Sequence, residues 1–431
     1  MTRWFLTTLA LACHVALSHV GHAQQVVGPQ AYPSAPYGGQ AFGPDGFPVD
    51  PELIPSARDR GFLYDTDSQI DLDIRETLER SWVRMEYLNW DVTNPGKVFL
   101  GAPLAGFDLQ GAYPNGSGQA GPGTTPPYSS AAFPVQDPFG TRSGVYGFVP
   151  DLGSVDWGHV NGLRGTIGIP LRPFTFEGSA WTMAHRDFNQ HFEPELFIVN
   201  GTLVQTLIPV VTLFNNGALS NNAMVAFDAS YDARVGINMF GADTNLVMNP
   251  LQPGNPIQVQ PLVGLKYIQY KNDLNITGAD IVNGTAPAIG SLAENNNFGP
   301  QVGLRFSYDT KWLSISADPK FAFGINRHTD TVSSSQLFSP TEADRTVQEE
   351  DTSFAPIFDF NVNGRIHMSQ HFSIFVSYNF LAIGRQSTSW ENIYYNAPPN
   401  PLTDGSALGL NVTKKSVIAH GITVGGELRF R

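Results

Sequence analysis

The sequence predicts an all-β protein: an antiparallel transmembrane β-barrel of roughly 10–12 strands, with long extracellular loops and a disordered N-terminal arm. Three observations predict it: an export-type leader, an alternation of apolar and polar side chains that recurs from Trp82 onward, and long Gly/Pro-rich stretches between the alternating segments. Composition agrees. Only 15% of the 431 residues are charged, against about a quarter in ordinary soluble chains. Aromatics reach 12%, and 43 Gly and 32 Pro suit many strands and turns.

The leader, residues 1–23, reads MTRWFLTTLALACHVALSHVGHA. Arg3 is a short positive region, Trp4 to Leu17 an apolar core, and Gly21 and Ala23 are small residues before Gln24. The apolar run is too short to span a bilayer, so the segment reads as a signal peptide cut after Ala23. An uncleaved anchor is a weaker reading. So is acylation at Cys13, because apolar sequence continues past it. Cys13 is the single cysteine, so a mature chain without it has no disulfide and no thiolate metal site.

Residues 24–79 form the expected periplasmic arm. From Gln24 to about Pro55 the sequence is rich in Gly, Pro, Gln and Tyr and shows no periodicity, as a disordered segment does. Between Gln24 and Glu79 stand ten acidic and three basic residues, about half of the formal net charge of -13. This balance argues against nucleic acid as a partner, since phosphate contacts need clustered Lys and Arg. Asp65 to Glu76 (DTDSQIDLDIRE) spaces its acids like a calcium loop, but Ile70 stands where the sharp turn needs glycine. An acidic linker is the better reading.

From residue 80 to 431 the period is two. Strands are expected at Trp82 to Trp90, Trp157 to Ile169 and Phe174 to Ala184. In Met224 to Phe240 every odd position from Val225 to Met239 is apolar. Ile257 to Tyr270 follows. In Asn297 to Tyr308, Phe298, Val302, Leu304, Phe306 and Tyr308 oppose Gln301, Arg305 and Ser307. In Trp312 to Asn326, Leu313, Ile315, Phe321, Phe323 and Ile325 oppose Ser314, Ser316, Asp318 and Lys320. Phe354 to Ile366 comes next, then His371 to Ala382, with Phe372, Ile374, Val376 and Tyr378 against Ser373, Ser377 and Asn379. The last strand, Ser416 to Arg431, sets Ile418, Ile422, Val424, Leu428 and Phe430 against Thr423, Glu427 and Arg429. Its aromatic end, Phe430, is the type of signal that barrel-assembly machinery reads, here followed by Arg431. Leu196 to Phe214, broken by Asn200-Gly201, Gln205 and Pro209, reads as a hairpin and not as a helical span.

Trp90 to Trp157, Asp330 to Asp351 and Ser387 to Thr413 are expected as long external loops, which a compact soluble domain seldom carries. The leader, together with aromatics near strand ends (Tyr87, Trp90, Tyr270, Tyr308, Trp312, Tyr378), places the apolar face against lipid. The polar face then lines a lumen. Its expected residues are Arg84, Glu86, Arg164, Glu177, Asp228, Asp232, Arg234, Lys266, Arg305, Asp318, Lys320, Asp359 and Arg365, joined by Glu427 and Arg429 in the last strand. The lining is nearly balanced, so its charges should pair across strands.

With WVRMEYLNW at Trp82, GLRGTIG at Gly162 to Gly168, EGSAW at Glu177 to Trp181, VGLKYIQY at Val263 to Tyr270 and NNFGPQVGLRF at Asn296 to Phe306, the chain from about Trp82 to Arg431 resembles the planctomycete outer-membrane proteins of the putative beta-barrel porin family number seven. Lys266 stands where that family commonly has Arg. The resemblance implies an outer-membrane β-barrel, with transport unestablished and no catalytic residues to carry over.

Other chemistry is thinly represented. His185-Arg186-Asp187 mimics a kinase triplet without its asparagine, Phe192 standing in that place. His367 and His371, four apart, flank a turn and make a poor metal pair. No hydrolase elbow, zincin motif or phosphate loop occurs. No enzyme, catalytic residue, cofactor or metal is expected. The expected partners are outer-membrane lipid and the assembly machinery, with a homo-oligomer left open. The first functional expectation is porin-like passive diffusion of small polar solutes or ions across the cell outer membrane. The alternative is a structural or surface-interaction barrel with a plugged lumen.

Overall fold

The computed structural model describes Thr77 and residues 80–103, 133–137, 140–171, 174–199, 202–218, 223–252 and 255–430. All belong to the second of two units, Gln69–Arg431. The leader, the calcium-like loop and, apart from Thr77, the expected arm lie outside the described residues.

Ten strands close into one barrel: β1 (Trp82–Val92), β2 (His159–Pro170), β3 (Phe174–Met183), β4 (Ser230–Met248), β5 (Ile257–Ala279), β6 (Ala288–Asp309), β7 (Leu313–Ala322), β8 (Ile357–His367), β9 (Phe372–Ser387) and β10 (Lys414–Arg429). Each pairs antiparallel with the next, and β10 returns to β1 with Arg429 opposite Trp82. Closure matters because an open edge would leave backbone N–H and C=O groups bare in hydrocarbon. The connections alternate in length. Those from β2 to β3, β4 to β5, β6 to β7 and β8 to β9 are short, and the chain ends of β1 and β10 lie at the same end of the barrel. Four of the other five connections carry long insertions.

The two faces of the wall differ sharply at the short-turn end. Ile422 is 56% exposed and its neighbour Thr423 is 0%; Phe298 is 54% exposed and Asn297 is 0%. Met85, Leu163, Leu265, Ile315, Phe358 and Val376 continue the exposed apolar belt around the barrel. Only a hydrocarbon surround makes such a continuous surface stable, so this half of the wall is the membrane-spanning part.

The strands outrun that belt. β4, β5 and β6 have 19, 23 and 22 residues, while a tilted crossing needs about 9–11. Beyond the belt the chemistry of the faces inverts without a change of phase. On β4 the inward residues Asp243 and Asn245 give way to Met239, Ile237, Val235, Ala233 and Tyr231, all buried, while Asp232 and Arg234 point outward to solvent. The alternation of Met224 to Phe240 is present as expected, but its apolar face packs inside and does not meet lipid. The reason is depth: above the membrane the outside is water and the inside is filled with protein.

The filling comes from the long connections. Phe133–Asp137, Gly140–Phe148, Glu195–Val199, Thr202–Thr212 and Met224–Ala226 form a separate sheet, in which Gly140–Phe148 pairs parallel with Thr202–Thr212. The Leu196 to Phe214 segment is thus a hairpin, built into this sheet and not into the barrel wall. Leu100, Leu152, Val155 and Trp157 from the first connection, Val211, Leu213, Val225 and Phe227 from the second, and Trp390, Ile393, Tyr395 and Leu408 from the last form one core with the inner wall. Two expected loops are therefore different in kind. The described end of the Trp90 to Trp157 connection carries strands, and Asp330 to Asp351 is mostly a β-hairpin. There Ile325–Ser335 continues along β6 beyond Gly324 and Arg345–Phe354 pairs back to it. Strand alternation is weak in such polar segments, which is why they read as loops.

Candidate functional site

The inner wall of the membrane-spanning half encloses a cavity of about 300 Å³. Its charged lining has seven cations, Arg84, Arg164, Lys266, Arg305, Lys320, Arg365 and Arg429, and six carboxylates, Glu86, Glu177, Asp243, Asp309, Asp318 and Asp359, with Glu427, buried beneath its arginine partners on the same inward face, as a seventh. They reach the lumen because each occupies an inward position of a strand whose neighbours face lipid.

The pairs cross strands. Arg305 donates to both oxygens of Glu177, at 2.7 and 2.9 Å, and through Nε to Asp318 at 3.1 Å. Lys266 Nζ lies 2.6 Å from Asp359 and 3.8 Å from Asp243, and Lys320 shares Asp359 at 3.5 Å. Arg164 lies 3.5 Å from Glu86. Glu427 accepts from Arg84 at 2.9 Å and from Arg365 and Arg429 at 3.0 Å. In a wall backed by hydrocarbon, bidentate and shared ion pairs of this type are what make buried charges tolerable.

The inner end of the chamber is aromatic. Trp90 and Trp181 meet at 5.4 Å between ring centroids, and the Arg164 guanidinium stands over the Trp90 ring. Trp90 Nε1 donates to Thr423, which also accepts from Asn379. Trp181 lies across Gly241, its register partner on β4; a Cβ there would come within 2.3 Å of the indole. Glycine at that position lets the ring lie in the lumen.

Above the tryptophans a band of buried amides ties the last long connection to the wall. Asn297 and Gln386 exchange two hydrogen bonds of 2.9 Å. Asn295 accepts from the Ser387 backbone and hydroxyl, Asn272 accepts from Ser389 N, and Asn392 donates to Asp330, which also holds His328.

Of the lumen residues expected from sequence, Arg84, Glu86, Arg164, Glu177, Lys266, Arg305, Asp318, Lys320, Asp359 and Arg365 come together around this cavity. Three do not. Asp232 and Arg234 are more than half exposed on the outer face of β4, paired with His191 and Asp187. Asp228 lies before β4, accepts from Ile281 N and Val282 N, and pairs with Arg142, so it pins the turn between β5 and β6. Burial pushes its carboxyl above the usual value against those hydrogen bonds. The placement of Asp232 and Arg234 follows from the inversion of faces along β4, and that of Asp228 from its position ahead of the strand. Trp90 and Tyr270, expected at the lipid interface, are also inward and buried, whereas Tyr87, Tyr308, Trp312 and Tyr378 are exposed. Asp243 is not among the residues expected from sequence, because the alternating segment read there ends at Phe240, three residues before the inward face turns polar. His367 binds Ser314 and Ser373, and His371 faces the Arg429 carbonyl, so the two do not converge.

A family model described as Putative beta barrel porin-7 matches residues 151–430, about two thirds of the chain. The chain belongs to that family. Curated proteins gave no match to this porin-7 chain. Among solved structures it is similar to the outer membrane protease OmpT from Escherichia coli, at 10% identity and TM-score 0.43, covering 82% of this chain and 98% of that one. It is similar also to a Pseudomonas aeruginosa FadL homologue, at 10% identity and TM-score 0.20, covering 81% and 90%. An anion-selective porin from Comamonas acidovorans matches at 9% identity and TM-score 0.12, covering 81% and 98%.

Proposed function

We propose that this porin-7 protein resides in the cell outer membrane with its short-turn end toward the periplasm, and that it is a non-catalytic barrel whose lumen is closed at the external mouth. It is then a structural or surface-presenting barrel, and not an open path for passive diffusion. The observation that carries this reading is the core shared by the inner wall and four long connections, the β7–β8 one adding Leu337 and Phe338, with Trp157, Phe227, Tyr231 and Leu213 fully buried in it. A water-filled path needs polar lining throughout; here the polar chamber ends against tryptophan and then aliphatic side chains. The amide band supports a fixed closure, because freeing Ser387 to Asn392 would strip Asn272 of its bonds to Ser387 O and Ser389 N and cost Asn295 those to Ser387, in a dry interior. The leader would direct export, and the strand ending at Phe430 would present the signal for assembly.

Planar-bilayer recording tests the proposal. The wild-type barrel, shown to be folded by heat-modifiable migration on a gel, should give no stepwise conductance. Replacing residues 389–411 with a short Gly/Ser linker should produce steps. Steps from the wild type would instead support diffusion, and hydrolysis of lipid or peptide by it would overturn the non-catalytic reading.

A further inference from the structure

The charges of the chamber balance in number but not in place. Glu177 and Asp318 share one cation, Arg305, while on the wall running from β8 through β9 and β10 to β1 three guanidinium groups converge on Glu427, and the other carboxylate there, Glu86, is shared by Arg164 at 3.5 Å and Arg84 at 3.9 Å, four cations against two. That wall therefore carries an excess of two positive charges next to a low-dielectric surround, where an uncompensated charge is costly and a mobile anion is drawn in.

Hydrogen-bond capacity is unbalanced in the same sense. Three guanidinium groups offer fifteen N–H bonds, and one carboxylate has about four acceptor sites. Glu427 takes Nε and Nη2 of Arg84, Nη1 of Arg365 and Nε of Arg429. Arg365 Nε is buried without a hydrogen-bond partner. Two residues along β8, on the same inward face, Asn363 is 95% buried and its Oδ1 is likewise unpartnered. Arg84 is fixed in place: its guanidinium lies 4.9 Å from the Trp82 ring centroid and 4.8 Å from that of Phe375. Arg84, Arg365, Arg429 and Asn363 all line the cavity.

We propose that this wall is a binding site for a small oxyanion, a carboxylate or a phosphate, held between Arg365, Arg429 and Arg84, with the Asn363 carboxamide turned to donate to it. The planar forks of arginine fit both anions in a two-point fashion. The inference goes beyond the proposed function. It requires that the chamber be reached from the short-turn end, and it holds whether the outer mouth is sealed or conducts.

The test is calorimetric titration of the folded full-length barrel, in an uncharged detergent at low salt, with inorganic phosphate and separately with succinate. Saturable binding of one or both is expected, the better probe identifying the anion class, with affinity falling as chloride is added. Arg365→Gln leaves Glu427 paired with Arg84 and Arg429, so the barrel should still fold. It should weaken binding by about tenfold or more. If heat-modifiable migration shows that this variant does not fold, Arg429→Gln at the rim is the second probe, with the same expected loss. Lys271→Gln on the outer face should bind as the wild type does. Absence of binding by either anion, or wild-type affinity in the folded arginine variants, would overturn the site.

Discussion

Lys266 shows what a single charge is worth in this wall. Its side chain is 3% exposed, yet its ammonium is satisfied by Asp359 at 2.6 Å and lies 3.8 Å from Asp243. Removing one member of a buried pair leaves the other stranded, at a cost of about 3–5 kcal/mol. Lys266→Met should therefore lower the stability of the folded barrel by that order, because Lys320, at 3.5 Å, is a poor substitute for Asp359. Adding Asp359→Asn, which removes the stranded charge yet keeps an oxygen acceptor for Lys320, should recover much of the loss. Urea unfolding of the single and double variants from lipid vesicles measures both; a double variant no more stable than the single one would mean that the ammonium matters for something other than this pair. The same residue separates what the sequence reveals from what it hides. That Lys266 faces the lumen is legible, since Leu265 and Val263 take the apolar phase, whereas its partners stand on β4 and β8, at sequence distances that alternation cannot relate.

At the scale of the element, strand existence was legible and strand height was not. All ten barrel strands coincide with alternating segments in the sequence, because period two survives whichever face meets lipid. What alternation leaves open is the sign of the face, and β4 carries both signs: polar inward at Asp243 and Asn245, apolar inward from Met239 to Tyr231. Asp232 and Arg234 were placed in the lumen from sequence because the lipid-side rule was applied along the whole strand. The outer placement of Asp232 makes a prediction for Arg186–Phe192, the strand paired to the upper part of β4. The Asp232 carboxylate accepts from His191 at 2.7 Å, and that hydrogen bond, with a second to Glu193, raises the imidazole above its ordinary 6.5. A raised folded value means that the contribution is full below about pH 6.5 and fades as pH climbs through the higher folded midpoint. Amide protection in Arg186–Phe192, corrected for intrinsic exchange, should fall above that midpoint, and Asp232→Asn should flatten the dependence. A His191 NMR midpoint at or below 6.5 in the wild type would contradict the pairing. The amide band makes a second prediction at this scale. Asn297→Ala leaves the Gln386 Oε1 without its donor in a dry site, worth about 1–3 kcal/mol, so proteolytic cleavage and amide exchange within residues 387–413 should speed up while the barrel strands stay protected.

For the molecule as a whole, two chemistries are stacked along one closed sheet. In the lower storey lipid is outside and paired charge inside; in the upper storey water is outside and a core of loop and wall side chains inside. The first storey could be read from the sequence, because each strand states its own amphipathicity. The second could not, because the residues that fill it come from four connections distant in sequence, whose packing no local pattern encodes. The boundary between the storeys can be located by placing arginine at successive outward positions. In the middle of a bilayer a lipid-facing arginine costs about 2–4 kcal/mol, falling to about 0–1 near the interfaces. Val376 and Ile422 are exposed apolar residues within the belt, so Val376→Arg and Ile422→Arg should each lower folding stability in vesicles by the larger amount. Asn275, outward on the upper part of β5 and opposite Arg234, should accept arginine at a cost within about 1 kcal/mol, since it faces water. Equal and small costs at all three positions would mean that the apolar belt does not lie in hydrocarbon. Equal and large costs would mean that the upper wall, too, is covered by lipid or by a partner. The expected profile, steep across the belt and flat above it, is specific to a barrel that stands well clear of the membrane on its closed side.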